Sequence, residues 1–102
     1  MVNVVVLIGR ITKEPELYYW EKEGRSIAVT KFQMTTNGNS RKVPDDHEIV
    51  VFGMEAEKTI ESGITNDDIV LVKGRLKSKK TSEGKKLYEI YAKTVEKVKV
   101  AT

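Results

Sequence analysis

The chain contains no cysteine. That excludes disulfides and thiolate metal sites and leaves nothing that points to an oxidising compartment. There is a single histidine, His47, so no nucleophile–base pair stands out and an enzyme is not expected. HExxH, EF-hand and Walker patterns do not occur, so neither a metal nor a cofactor is expected. Glycines 9, 24, 53, 63, 74 and 84 are scattered rather than gathered into a phosphate-binding loop. The longest unbroken apolar run is Val4 to Ile8, far short of the roughly 20 residues that cross a bilayer. The opening residues lack the basic region and cleavage site of a secretory signal, so a cytoplasmic location is the expectation.

What remains is a globular balance. The 102 residues are 39% hydrophobic and 32% charged, with a formal net charge of +3. That suits one domain spanning residues 1–102, without repeats, linkers or low-complexity tracts. Residues Val2 to Ile11 are rich in β-branched side chains and read as a strand. Pro15 is expected to break it, with a short strand resuming from Leu17 to Trp20. Ser26 to Thr36 alternates, with Phe32 and Met34 toward a core and Lys31, Gln33 and Thr35 outside. Residues 37–46 read as a loop. A third strand, His47 to Phe52, precedes one helix, Met54 to Glu61, which ends near Ser62-Gly63. The fourth strand, Ile69 to Lys77, places Val70, Val72, Gly74 and Leu76 on one face. The last covers Leu87 to Val100. Five strands with a single short helix between the third and fourth predict an all-β fold, a five-stranded Greek-key barrel of the OB type. A two-layer sandwich would need about seven strands.

Charge is distributed unevenly. GRLKSKKTSEGKKLY, residues 74–88, holds six basic residues and one acidic residue, whereas Glu14, Glu16, Glu21 and Glu23 crowd the N-terminal third. Strand alternation puts Arg75, Lys77 and Lys79 in one positive stripe, and Lys80, Lys85 and Lys86 extend it around a turn. Such a hairpin suits a phosphate backbone, whose neutralisation releases counterions and gives salt-sensitive affinity. A solvated, solubilising hairpin is the plainer reading. Arg41 and Lys42, in the preceding long loop, are candidate second contacts.

Binding of single strands also needs rings on which bases stack. Tyr18, Tyr19 and Trp20 are consecutive and cannot all point one way. Trp20 is the candidate for exposure, with a core or subunit-interface place as the alternative. Phe32 falls on an apolar strand face and reads as core. Phe52 ends its strand with its face ambiguous from the pattern. Tyr88 and Tyr91 flank the start of the last strand. Tyr91 alternates with Ile90 and Ala92 and is expected to face outward.

Five segments in register resemble a known family. VNVVVLIGRITKEPEL (2–17), VTKFQMTTN (29–37), VVFG (50–53), VLVKGRL (70–76) and EIYAKTV (89–95) are similar to successive strands of bacterial single-stranded DNA-binding proteins. The resemblance implies an OB fold that binds single-stranded DNA with little sequence preference, in replication, repair or recombination. It also implies a homo-oligomer, commonly a tetramer. Position by position it places Phe52 at a base-stacking aromatic and Arg75, Lys77 and Lys79 on the basic arm. Asp46, Asn39-Ser40 and Lys80-Thr81 stand where family members often carry further aromatics, so weaker, more salt-sensitive binding is expected. The family's flexible acidic tail, which recruits replication and repair proteins, has no counterpart before Thr102. A primosome-type accessory protein, a dimer bridging single-stranded DNA and replication proteins, is the alternative.

Overall fold

A computed structural model describes residues 1–36 and 44–99. Arg41 and Lys42 therefore lie outside the described residues. The order of elements is β1 (Val5–Lys22), β2 (Arg25–Thr36), β3 (Asp45–Phe52), α1 (Met54–Glu61), β4 (Ile69–Lys80) and β5 (Lys86–Lys97). The strands close into a barrel in the order β1-β2-β3-β5-β4, with β1 also paired to β4. All ladders are antiparallel except β3 with β5, which is parallel. This is the all-β barrel with one helix between the third and fourth strands that the sequence predicts.

One expectation is corrected. β1 does not break at Pro15 but runs on for 18 residues. The ladder with β2 instead shifts register between Ile11 and Lys13 and again between Lys13 and Glu16. Proline has no N–H to give a ladder, and an irregular stretch is where a strand tolerates it. One long strand thus serves two neighbours: residues 5–10 pair with β4, and residues from Arg10 to Lys22 pair with β2 on either side of the irregular stretch.

The barrel interior is filled from every strand. Ile11, Phe32, Met34, Ile49, Val51, Val70 and Val72 are almost wholly buried, with Ala28 and Ile90 beside them. Helix α1 covers one end through Ala56 and is tied down where Thr30 Oγ1 donates 2.8 Å to the Ala56 carbonyl. Gly53 starts the helix at φ 72°, a conformation open to glycine, and its N–H donates 2.8 Å to the Ala28 carbonyl. Among the described residues, no helix is long and apolar enough to cross a membrane.

At the other side of the barrel β4 and β5 pass unusually close. The ladder skips from Lys73↔Thr94 to Gly74↔Ala92, leaving Lys93 as the extra residue of a bulge. A Cβ at Gly74 would collide with the Tyr91 carbonyl and the Ala92 backbone. Backbone cannot step aside as a flexible side chain can. Gly74→Ala should therefore destabilise the fold by about 1–3 kcal/mol, read as a lower midpoint in urea denaturation, and an unchanged midpoint would show that the two strands can separate without cost.

Candidate nucleic-acid interface

Residues paired directly across a ladder share a face of the sheet, and i, i+2 neighbours share it along a strand. Following the pairs Tyr18↔Val29, Val29↔Phe52, Lys31↔Val50, Val50↔Tyr91, Arg75↔Tyr91 and Lys77↔Glu89 traces one outward surface across all five strands. Tyr18, Trp20, Lys31, Phe52, Lys79, Glu89 and Tyr91 come together there around a groove of about 340 Å³, floored by Val29 and Val50. Those two valines are buried although they point away from the barrel interior, because the rings and the Lys31 stem cover them. The alternation that puts Val29 outside is correct, but it carries no information on what lies above the sheet.

Each part of the rim couples a cation to a ring. The Arg75 guanidinium carbon lies 5.4 Å from the centre of Tyr91. Lys22 Nζ lies 5.4 Å from the Trp20 ring and Lys31 Nζ lies 5.9 Å from the Tyr18 ring. Such contacts contribute about 0.5–1 kcal/mol at exposed sites. Polar contact with the Tyr18 hydroxyl raises the pKa of Lys31, outweighing partial burial, which lowers it, and Glu89 and Tyr91 add to the rise. Lys31 is thus firmly protonated at neutral pH. Phe52 meets Tyr91 edge-on, with ring centres 5.1 Å apart and planes at 72°. Phe52 is 39% exposed and Trp20 is 48% exposed, so both keep open ring surface above a fixed floor. Lys79 Nζ bonds Glu89 Oε1 at 3.2 Å.

The structure sorts the residues singled out from sequence. Phe52, Trp20 and Lys79 line the groove. Arg75 and Lys77 continue it along β4, opposite Tyr91 and Glu89. Tyr88 does not join them: it pairs with Ser78, one step out of phase with Glu89 and Tyr91, and so falls on the other face of the arm. Lys80 pairs with Lys86 on that same other face. Like charges directly opposite weaken a ladder, so this pair is a local cost to the hairpin. Lys85 lies in the turn, where its carbonyl accepts from Thr81 N–H at 2.8 Å. Tyr19 points away from Trp20 and donates 3.0 Å to Glu57 of the helix, whose carboxylate raises the tyrosine pKa.

Sequence reasoning did not single out Tyr18, Lys31 and Glu89 as site residues, and placed Tyr91 outward without assigning it a role. The available signal was parity: Tyr18 shares a face with Trp20, and Lys31 with Val29. What no local pattern supplies is the β3–β5 pairing that brings Tyr91 to Phe52.

The chain matches the model of the single-strand binding protein family over residues 2–98. It is 38% identical to a single-stranded DNA-binding protein of Fusobacterium nucleatum, an alignment covering 92% of this chain and 65% of that protein. It is 31% identical to single-stranded DNA-binding protein 3 of Listeria innocua, covering 94% and 63%. A third relative, the single-stranded DNA-binding protein of Clostridium perfringens, is 36% identical over 74% of this chain and 49% of its own length. The chain thus spans half to two thirds of the length of these relatives. Among solved structures, the SSB domain of a Synechococcus protein superposes with a TM-score of 0.74 at 22% identity, over 94% of this chain and 96% of that one. That likeness establishes the OB fold.

Two phenylalanines test the division between core and surface. Phe32→Ala should cost about 3–5 kcal/mol, because Phe32 is 2% exposed. Phe52→Ala should lose little more than its edge-to-face pair, about 0.5–1.5 kcal/mol. Chemical denaturation of both variants checks this, and equal losses would place Phe52 in the core.

Proposed function

The chain belongs to the single-strand binding protein family, and from that premise we propose that it binds single-stranded DNA with little dependence on sequence. The observation that carries this reading is the groove: four rings, Tyr18, Trp20, Phe52 and Tyr91, gathered with Lys31 and Lys79 on one face of the barrel. A single strand offers unpaired base faces and a line of phosphates. Exposed rings supply about 1–3 kcal/mol per stacked base. Cations along the rim release counterions from the backbone. A duplex keeps its bases stacked on each other, so its faces are closed to these rings.

In this reading Phe52 and Trp20 carry bases. Arg75, Lys77 and Lys79 follow the phosphates along β4, and Lys80, Lys85 and Lys86 extend the charge around the hairpin tip. Arg75 has a second duty: placed against Tyr91, it holds the ring that in turn supports Phe52. The sole histidine, His47, is engaged with Thr36, Nε2 to Oγ1 at 2.8 Å. The protein is read as a binding module acting in replication, repair or recombination.

Self-association completes the proposal. Val4, just before β1, and Val6 and Ile8 on it form an outward row, each more than half exposed. The neighbouring β4 residues are Lys73, opposite Val6, and Leu71, opposite Ile8. Contiguous exposed apolar surface of this kind marks an interaction face, and a second copy of the chain is the occupant that a homo-oligomer supplies.

The direct test is titration of oligo-dT and a matched duplex, followed by Trp20 fluorescence at several salt concentrations. The single strand should bind more tightly and quench the tryptophan; equal affinity for the two forms would remove the proposal. Phe52→Ala should weaken binding by about 1–3 kcal/mol. Replacing both Lys77 and Lys79 by alanine should reduce the slope of log affinity against log salt by about 0.7 to 1.4, since each full phosphate contact on a single strand accounts for about 0.7 and Lys79 is shared with Glu89. Val6→Asp should lower the molar mass measured by light scattering, and an unchanged mass would free the β1 row from the assembly role.

A further inference from the structure

The ring groove has two unlike ends. Beyond Tyr18 and Lys31 it meets a small cleft of about 130 Å³, where Glu14, Glu16 and Glu48 stand against Lys13 and Lys31. Three carboxylates against two ammonium groups make a poor seat for a phosphate. Beyond Tyr91 lies a larger cleft of about 470 Å³. Its cations are Lys73, Arg75 and Lys93, and no acidic side chain lines it. Among the described residues none of these three is held in an ion pair, whereas Lys79 in the ring groove is paired with Glu89.

Tyr91 is the wall between groove and cleft. Phe52 packs edge-on against it on the groove side, and Arg75, on the cleft side, sets its guanidinium 5.4 Å from the ring centre. Backbone irregularity shapes the cleft. The β4–β5 ladder skips Lys93, and a bulge re-aims the side chain it carries; Lys93 is exposed and lines the cleft beside Gly74 and Ala92. Asn3 secures another edge. Its side-chain amide donates 2.9 Å to the Leu76 carbonyl and accepts 2.9 Å from the Leu76 N–H, which fixes the chain ahead of β1 and keeps Val4 at the rim. Lys73 and Arg75 are two residues apart on one face of β4, about 7 Å along the strand, and so continue the row of Lys79 and Lys77 past the rings.

A nucleic-acid strand lying on Phe52 and Trp20 is thus offered a cationic way out at one end only. Resting on the single-strand reading above, we propose that the strand crosses the Arg75–Tyr91 wall into this cleft, a second nucleotide subsite in which Lys73 and Lys93 take successive phosphates. Both contacts are to the backbone, so the subsite lengthens the stretch of DNA held by one protomer and leaves binding indifferent to base sequence.

The test is oligo-dT of increasing length, from roughly four to 16 nucleotides, the span that one OB fold covers. It is titrated at several salt concentrations on the wild-type protein, Lys73→Ala, Lys93→Ala and Lys58→Ala. The shortest oligonucleotides fill the ring groove alone and should bind all four proteins equally. With the longer ones each cleft variant should lose about 0.7 from the slope of log affinity against log salt, the worth of one phosphate contact on a single strand. Lys58→Ala, on α1, removes the same charge outside both clefts and should lose none. Light scattering should give the wild-type molar mass throughout, a check that matters for Lys73 because it stands opposite Val6 of the β1 row; Lys93 lies outside that row.

Losses that are the same at every length, or the same in Lys58→Ala, would overturn the proposal and reduce the cleft to a general field of positive charge. No loss at any length would overturn it by showing that the strand leaves another way. A loss seen only where the molar mass also falls would make the cleft part of the contact between copies. Failure of the wild-type protein to bind any of the oligonucleotides at low salt would remove the single-strand reading itself, a result distinct from binding them all with no difference between wild type and variants.

Discussion

Closure of the barrel rests on three parallel pairs between β3 and β5: Ile49↔Ile90, Val50↔Tyr91 and Val51↔Ala92. Everything else in the molecule follows from that short contact. Ile49, Val51 and Ile90 point inward and complete the core. Val50 and Tyr91, one residue out of phase, point outward and meet Phe52. Core and groove are therefore two sides of the same ladder. Because side chains alternate with a period of two, a slip of one residue would turn Tyr91 into the barrel and Ile90 out of it. The apolar fit of the interior is what holds the outer rings in register.

That dependence explains which features were legible from sequence. The helix was read as Met54 to Glu61 and stands there, because a glycine with positive φ at each end leaves little freedom in its limits. Phe32 was read as core from its strand parity, and it is buried. The face of β4 that carries Arg75, Lys77 and Lys79 also follows from parity within one strand. Each of these is a local inference. The errors arose where a strand departs from regularity or where contact is long-range. Pro15 signalled a break, but the register shifts in the β1–β2 ladder absorb it and the strand continues. Lys80, Lys86 and Tyr88 lie close in sequence to Lys79 and Glu89, and parity places them on the other face of the arm, which leaves their proposed part in binding to the hairpin tip rather than the groove.

The count of stacking surfaces shows the same limit more sharply. Asp46, Asn39-Ser40 and Lys80-Thr81 occupy positions where the resemblance placed aromatics, and on that basis weaker, more salt-sensitive binding was expected. The fold brings Tyr18 and Trp20 from β1 and Tyr91 from β5 to the side of Phe52, rings that this expectation did not count together. A groove can be furnished from strands far apart in sequence, so a ring missing at one position is no measure of the total. Tyr18 and Tyr91 also lie against a lysine and an arginine, which fixes their orientation before any ligand arrives. Less ordering is then left for binding to impose, and ordering is one of the larger costs of association.

The balance between rings and charges has a further physical consequence. Stacking is nearly indifferent to salt, whereas counterion release weakens steeply as salt rises. In the free protein Lys79 is already committed to Glu89. A phosphate that recruits Lys79 must compete with that carboxylate, so the lysine gives less net attraction than an unpaired one would. Lys31, Lys79 and Glu89 then act as a unit of reduced charge beneath the rings, and the strongly cationic part of the surface moves outward to Arg75, Lys77 and the hairpin tip. Such a layout separates two tasks by position. In the proposed reading, bases are held against a nearly neutral aromatic interior, while the backbone is attracted at a charged rim. The separation is imposed by strand parity, since the residue that carries a ring and the residue that carries a charge must occupy the same face at different heights along the arm.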